Sequence, residues 1–162
     1  MRRFVVLLAA WLVLSTTMVT VLSWNSRVSR AVLGMGWRLI LLWIGAGGLL
    51  MHGFRDRVRA WRQSLSRGWP IKFVLGCTAL ALVEEAVTTT MTNLAPWFGV
   101  RVGEAYITAS ADYLDVVLCH SVVVFVPMFI GWAWLLHRFG FTAAEAFVLF
   151  GLTGTLAECT FG

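Results

Sequence analysis

The feature that most constrains this fold is a series of long apolar runs that together take up most of the chain. The first run, residues 4–24, contains no charged side chain. A helix of about 20 apolar residues spans the hydrocarbon core of a bilayer, because each residue adds about 1.5 Å to its length. Hydrophobic residues make up 59% of the 162 and the mean hydropathy is +0.81, which is too apolar for a soluble domain. We therefore predict an all-α integral membrane protein.

The apolar runs predict about five transmembrane helices in a single polytopic domain of residues 1–162. The predicted spans are residues 4–24, 32–54, 70–95, 113–136 and 141–161. The first run is long enough to span, which favours a retained helix over a cleaved signal peptide. Pro70 suits the first turn of the third span, and Pro127 predicts a kink in the fourth. The sequence stops at Gly162, right at the end of the last predicted span, so a complete chain and a piece of a longer one both stay open.

A basic stretch between the second and third spans predicts a short amphipathic helix over residues 54–67. Its apolar residues recur at helical spacing: Phe54, Val58, Trp61 and Leu65. The arginines that lie off this stripe are Arg55, Arg59 and Arg62. Such a helix lies in the membrane interface, with its basic side chains toward anionic lipid headgroups. The alternative is an ordinary basic loop.

The second span contains the sequence GAGG at residues 45–48. Small residues allow two helices to approach closely in lipid, which favours a helix contact here. Glycines also weaken a helix locally, because they lose more backbone entropy than other residues. Both interpretations stay open at this point.

The basic residues predict the orientation of the chain in the membrane. With the N-terminus inside, nine of the 13 Lys and Arg residues face the cytoplasm: Arg2, Arg3, Arg55, Arg57, Arg59, Arg62, Arg67, Lys72 and Arg138. The other four lie outside: Arg27, Arg30, Arg38 and Arg101. Cytoplasmic loops carry an excess of Lys and Arg, so we predict an N-in and C-out protein of a bacterial inner membrane. The net charge of +5 therefore indicates topology, and no nucleic-acid partner is expected.

Several ionisable residues lie inside the predicted spans, where a charge costs at least about 2.5 kcal/mol. The candidates for a function are Glu84, Glu85, Asp115, His120 and Glu158. Glu85 begins a helical stripe that continues through Thr88, Thr89 and Thr92. This pattern predicts a polar cavity between the third, fourth and fifth spans, open to the outside, with Glu85 facing it near the midplane. Glu84 points about 100° away along the helix and is expected to close a helix contact instead.

A structural role for the same acids is the alternative. A buried carboxylic acid can be protonated and bonded to a threonine or a backbone carbonyl, which joins helices without any further function. Glu145 is assigned such a role, because Thr142-Ala-Ala-Glu145 has the spacing of a capping box at a helix N-terminus.

Two adjacent glutamates in one span and His120 in the next resemble the CAAX-protease-like intramembrane peptidases, whose first two motifs are EExxxR and FxxxH. Here Thr89 stands where the first motif has arginine, and Val116 stands where the second has phenylalanine. The resemblance rests on Glu84, Glu85 and His120, and the chain is not assigned to the family. It implies an intramembrane hydrolase. The candidate metal ligands are Glu85, His120 and Glu158, whose donors suit Zn or Fe.

Three functions are compatible with these observations. The leading one is a non-catalytic subunit or scaffold, in a homo-oligomer or a larger membrane complex, because the chain is small and offers small-residue helix faces. The first alternative is proton- or cation-coupled transport through the polar cavity. The second is a metal-dependent intramembrane hydrolase with a glutamate as base. The pattern predicts neither a substrate nor a cofactor.

Overall fold

A computed structural model describes residues 2–63 and 68–161, which are almost entirely helical. Helix accounts for 83% of the structure, and the described residues contain no strand. The helices are α1 (Arg2–Leu22), α2 (Arg27–Leu39), α3 (Gly48–Gln63), α4 (Trp69–Asn93), α5 (Tyr113–Asp115), α6 (Val122–Arg138) and α7 (Ala143–Phe161). Two π-helical segments (Ile40–Gly47 and Val116–His120) and a 3₁₀ turn (Ala95–Phe98) complete the order. The predicted all-α class is confirmed.

Two of the described helices have the length and hydropathy of a membrane span. Arg3–Leu22 and Arg27–Ala60 are each long and apolar enough to cross a membrane. A third crossing is available if the bent pair Tyr113–His120 and Val122–Arg138 acts as one span. Five spans therefore stay a prediction.

The second predicted span and the predicted interfacial helix form one continuous helix. Its 34 residues from Arg27 to Ala60 reach about 50 Å, well beyond the roughly 30 Å of a bilayer core. Arg55 and Arg59 lie exposed on its C-terminal part, where no break separates the span from the basic stretch. The side chain of Arg62 and residues 64–67 lie outside the described residues.

The GAGG sequence lies at the end of the first π-helical segment and the start of α3. A Cβ added at Gly45 or Gly47 would come no closer than 3.8 Å to the carbonyl groups of its own helix, and one at Gly48 would meet nothing. No neighbouring helix therefore approaches these glycines among the described residues. The locally altered helix, rather than close packing, is the interpretation that the structure favours.

The centre of the fold is the pair formed by α4 and α6. Ala81 packs with Val122 and Phe129 in a buried apolar cluster between the two helices. At one end of the pair, the Trp69 indole donates a hydrogen bond to His137, with 3.3 Å between Nε1 and Nδ1. Pro70 lies in the first turn of α4, as predicted, because a first-turn residue needs no helical N–H donor.

The fourth predicted span bends at Ser121, and the kink at Pro127 stays a prediction. The helix axes before and after Ser121 differ by 47°. The Ser121 N–H bonds to the carbonyl of Val116, five residues earlier, and the Ser121 hydroxyl donates to the same carbonyl. A π-type turn changes the direction of a helix, which accounts for the bend. Pro127 lies within α6 beyond the bend.

A second core joins α2 to the end of α4 and the 3₁₀ turn. Ala31 and Met35 of α2 are fully buried against Met91 and Ala95. The Phe98 ring lies over Gly34, and the Arg38 guanidinium lies 4.5 Å from the centre of the same ring. This contact requires glycine at residue 34, because a Cβ there would lie 2.7 Å from the ring.

The N-terminus of α7 has the predicted capping box. The Thr142 backbone N–H donates to Glu145 Oε2 at 2.7 Å, and the Glu145 N–H donates to Thr142 Oγ1 at 3.2 Å. These reciprocal bonds satisfy two donors at the helix start, which confirms the structural role assigned to Glu145.

The contact between Phe98 and α2 predicts opposite effects for two glycines on one helix. Gly34→Ala should lower the free energy of unfolding by about 1–3 kcal/mol, because the new methyl group displaces the Phe98 ring. Gly36→Ala is the matched control, since nothing lies within 4 Å of a Cβ at that residue. It should be neutral or stabilising by about 1 kcal/mol, because alanine is the better helix former. Thermal unfolding in one detergent compares the two, and equal effects would contradict the packing described.

Candidate ligand-binding cavity

A cavity of about 680 Å³ lies beside the predicted acidic stretch of α4. It is a partly open pocket lined by α4, the second π-helical segment, the start of α6, the end of α2 and the loop that follows the 3₁₀ turn. Its polar lining residues are Glu84, Glu85, Thr88, Tyr106, Thr108, His120 and Ser121. Its apolar lining residues are Leu39, Ile107, Ala109, Val116, Val124 and Phe125. The structure therefore brings Glu84, Glu85 and His120 to one site.

Glu85 is the most enclosed acid of this site, with 8% of its surface exposed. Its Oε2 atom accepts hydrogen bonds from the hydroxyls of Thr88 at 3.0 Å and Thr108 at 3.3 Å. The other oxygen, Oε1, accepts none from the described residues. A buried carboxyl group is costly without partners, and the two hydroxyls offset part of that cost. The remaining oxygen is available to a group inside the cavity.

Thr108 belongs to a loop that folds back over α4. The Ile107 N–H donates to Thr92 Oγ1 at 3.3 Å, and Asn93 donates to the Ala111 carbonyl at 2.8 Å. These bonds hold the loop along the last turns of the helix. Glu85 precedes Asn93 by eight residues, so the loop reaches about 12 Å back along the helix axis. The surroundings of Glu85 are therefore a protein loop and neighbouring helices, not the three spans that the sequence predicts.

The predicted polar stripe of α4 is buried along its whole length, but its residues face two different parts of the structure. Glu85, Thr88, Thr89 and Thr92 are the buried polar residues of the described chain. The first two line the cavity, whereas Thr92 faces the loop. Thr89 is 5% exposed, and its hydroxyl has no hydrogen-bond partner among the described residues. The stripe is a buried face of α4, and only its N-terminal half reaches the cavity.

Glu84 also lines the cavity, although the sequence predicts a helix contact for it. Its side chain is half-buried, less enclosed than that of Glu85. Adjacent helical residues point about 100° apart, yet a cavity of this width spans both directions. The expectation that only one of the two glutamates faces the cavity is wrong.

His120 lies at the end of the second π-helical segment, next to the bend. Its Nε2 atom is 3.8 Å from Oδ2 of Asp115, and both side chains are a little under half exposed. Asp115 does not line the cavity, so it acts on the site only through His120. A pair this exposed is weak, since solvent screens its attraction.

The fifth predicted span does not contribute to the described lining of the cavity. No described residue of α7 lines it, and the side chain of Glu158 lies outside the described residues. The candidate metal ligands Glu85, His120 and Glu158 are therefore not shown together. Among the described residues, no group of three or more His, Cys, Asp or Glu side chains could hold a metal ion.

Nine of the lining residues were not predicted from the sequence, among them Tyr106, Thr108, Ser121 and Phe125. The loop did carry a signal, because residues 97–112 are of mixed polarity and neither strongly basic nor repetitive. A loop with such a composition often carries function, yet nothing in the sequence says which helix it covers. Ser121 and Phe125 become lining residues only because the helix bends.

Comparison of the chain with protein-family models, with curated proteins and with solved structures finds no match. The resemblance to the intramembrane peptidases thus has no family model behind it. Thr89, which replaces the arginine of their first motif, does not line the cavity. The proposed function therefore depends on the residues that line the cavity.

The hydrogen bond between the loop and Glu85 predicts the effect of an isosteric substitution. Thr108→Val keeps the shape of the side chain but removes the hydroxyl donor, and should lower the free energy of unfolding by about 1 kcal/mol. Amide hydrogen exchange in residues 99–112 should become faster, because the loop loses its bond to α4.

The control for this substitution is Thr90→Val on α4, the helix that carries Glu85. Thr90 is exposed, and its hydroxyl bonds to the Ala86 carbonyl of its own helix. Its loss should leave loop exchange unchanged. Unaltered exchange in Thr108→Val would show that the loop does not depend on Glu85.

Proposed function

We propose that this chain is a multi-pass protein of a bacterial inner membrane, with about five spans and an N-in, C-out topology. The two long apolar helices and the bent third one support a membrane location. The excess of arginine on one side supports the orientation. The exposed Arg55 and Arg59 would face anionic lipid headgroups at the cytoplasmic surface.

We further propose that the protein transports a cation in exchange for protons, with Glu85 as the exchanging group. The observation that carries this proposal is the buried Glu85 carboxyl group, which lines a large cavity and has one oxygen without a donor among the described residues. Glu84 and His120 line the same cavity, so a second carboxyl group and an imidazole lie near Glu85.

Substitution of Glu85 tests this function directly. In proteoliposomes that contain a pH-sensitive dye, Glu85→Gln should abolish protein-dependent proton flux, because glutamine has nearly the same shape but cannot release a proton. Asp56→Asn is the control, since Asp56 is 76% exposed at its side chain and lies on α3, away from the cavity. Thermal unfolding checks that both variants are folded. Wild-type flux in a folded Glu85→Gln protein would rule out the proposed role.

A second candidate, a subunit of a homo-oligomer or larger complex, is favoured by the packing of the outer helices. The apolar window of α1 is 0% buried, and α7 meets the others through ring contacts such as Phe150 on Trp132, 5.5 Å between centroids. Lipid or other protein chains must cover these surfaces. Native mass spectrometry of the protein released from membranes tests whether it is such a subunit. A defined oligomer or a stable partner supports the subunit, and a monomer contradicts it.

A further inference from the structure

The cavity beside Glu85 is much larger than a proton or a single metal ion requires. Its volume of about 680 Å³ falls within the range of sites that hold small organic molecules, roughly 300–1,000 Å³. A site that served proton transfer alone would need only a chain of hydrogen-bonding groups. The size of the cavity therefore indicates a ligand with several non-hydrogen atoms.

The charge of the lining indicates the sign of this ligand. The titratable lining residues are Glu84, Glu85, Tyr106 and His120, and the described lining contains no Lys or Arg. Asp115 lies beside His120 and offsets a positive charge there. A carboxylate in apolar surroundings is strongly stabilised by a positive partner, because few water molecules remain to solvate it. The cavity therefore favours a cation over an anion.

The hydrogen bonds of Glu85 indicate where the charged group of that ligand would bind. Both hydroxyl donors reach Oε2, so Oε1 has no donor among the described residues. A protonated amine can donate an N–H to Oε1 and form a charge-assisted hydrogen bond, which is stronger than one between neutral groups. A quaternary ammonium has no such proton and would lack this bond.

The rest of the lining suits an apolar body. Ile107, Val116, Val124 and Phe125 surround the space with hydrocarbon, and Tyr106 adds a second aromatic ring. Burial of apolar surface stabilises a complex by about 25 cal/mol for each Å² removed from water. Aromatic rings also attract an ammonium group that lies over their faces. One molecule with an ammonium and an apolar body uses both kinds of lining.

A bare metal ion fits this lining less well. Ca²⁺ takes six to eight oxygen ligands, usually from several carboxylates and carbonyls. The described residues hold no group of three His, Cys, Asp or Glu side chains placed for a metal. An amine needs one carboxylate and an apolar wall, and this cavity provides both.

We propose that the cavity binds a protonated amine with an apolar body, with its ammonium on Glu85 Oε1 and its body against Phe125. The proposal rests on the proposed function, because such an amine would be the cation that exchanges with the proton of Glu85. It adds the chemical class of the cargo and the atom that recognises it.

Calorimetric titration of the purified full chain in detergent tests the proposal with two probes of similar shape. Phenethylammonium carries the expected charge, and 2-phenylethanol is its neutral counterpart. A titration into protein-free micelles subtracts partition of each probe into detergent. The wild-type protein should bind the amine saturably and the alcohol not at all. This comparison needs no substitution, so it stands even where a variant fails to fold.

Two variants then locate the site. Glu85→Gln should weaken binding of the amine about tenfold or more, the effect of losing one charge-assisted hydrogen bond. Phe125→Ala should weaken it as well, because the apolar body loses its main contact. Asp56→Asn should bind like the wild type.

The possible results separate this inference from the proposed function. Absence of saturable amine binding, equal binding of the two probes, or unchanged affinity in a folded Glu85→Gln protein would overturn the inference. Proton flux that depends on Glu85 would survive any of these results and keep the proposed function. Saturable amine binding at Glu85 without flux, with or without the amine, would remove transport and leave a binding site.

Discussion

Burial of the Glu85 carboxyl group is the constraint on which the arrangement around α4 depends. A carboxyl group in the middle of an apolar helix needs polar partners. Without them, its transfer out of water costs roughly several kcal/mol of free energy. Thr88 supplies one partner from the same helix, and Thr108 supplies another from a loop. The second bond requires the loop to fold back along α4. The bonds of Thr92 and Asn93 to the same loop keep it there. One buried acid thus explains why a connecting segment lies against a helix and closes a cavity.

The fourth helix contributes to the same cavity through its bend. A straight helix from Tyr113 to Arg138 would continue the packing of α6 against α4 along its whole length. The π-type turn before Ser121 changes the axis by 47° and places Val116, His120 and Phe125 around the space beside Glu85. π-helical turns are frequent at functional sites because they redirect side chains without breaking the helix. The bend and the buried acid therefore act together: the acid holds the loop on one side, and the bend opens the other.

Helix positions were predictable because they follow from local properties of the chain. Each predicted span overlaps a helix of the structure, since long apolar runs bounded by Pro, Gly or polar residues form helices in any apolar environment. The capping box at Thr142 and the first-turn Pro70 depend on residues three or fewer apart, and both are present. The interfacial helix predicted as a separate element is instead the C-terminal part of a longer helix. The reason is again local, because no residue between Phe54 and Gln63 breaks a helix. The bend at Ser121 was not predicted, because it depends on hydrogen bonds of that residue to the Val116 carbonyl and not on a proline.

By itself the sequence determined the all-α class, the approximate helices and the buried stripe of Glu85 and three threonines. Those features depend on helical periodicity and on the high cost of an exposed charge in lipid, both of which are properties of short segments. The tertiary structure decided which residues share the cavity. Thr108 and Glu85 are 23 residues apart, and Leu39 lies further still from both. No periodic pattern links such residues, because their proximity results from how the loop and the bent helix pack on α4. The same packing left α7 out of the described lining and placed Glu84 within it.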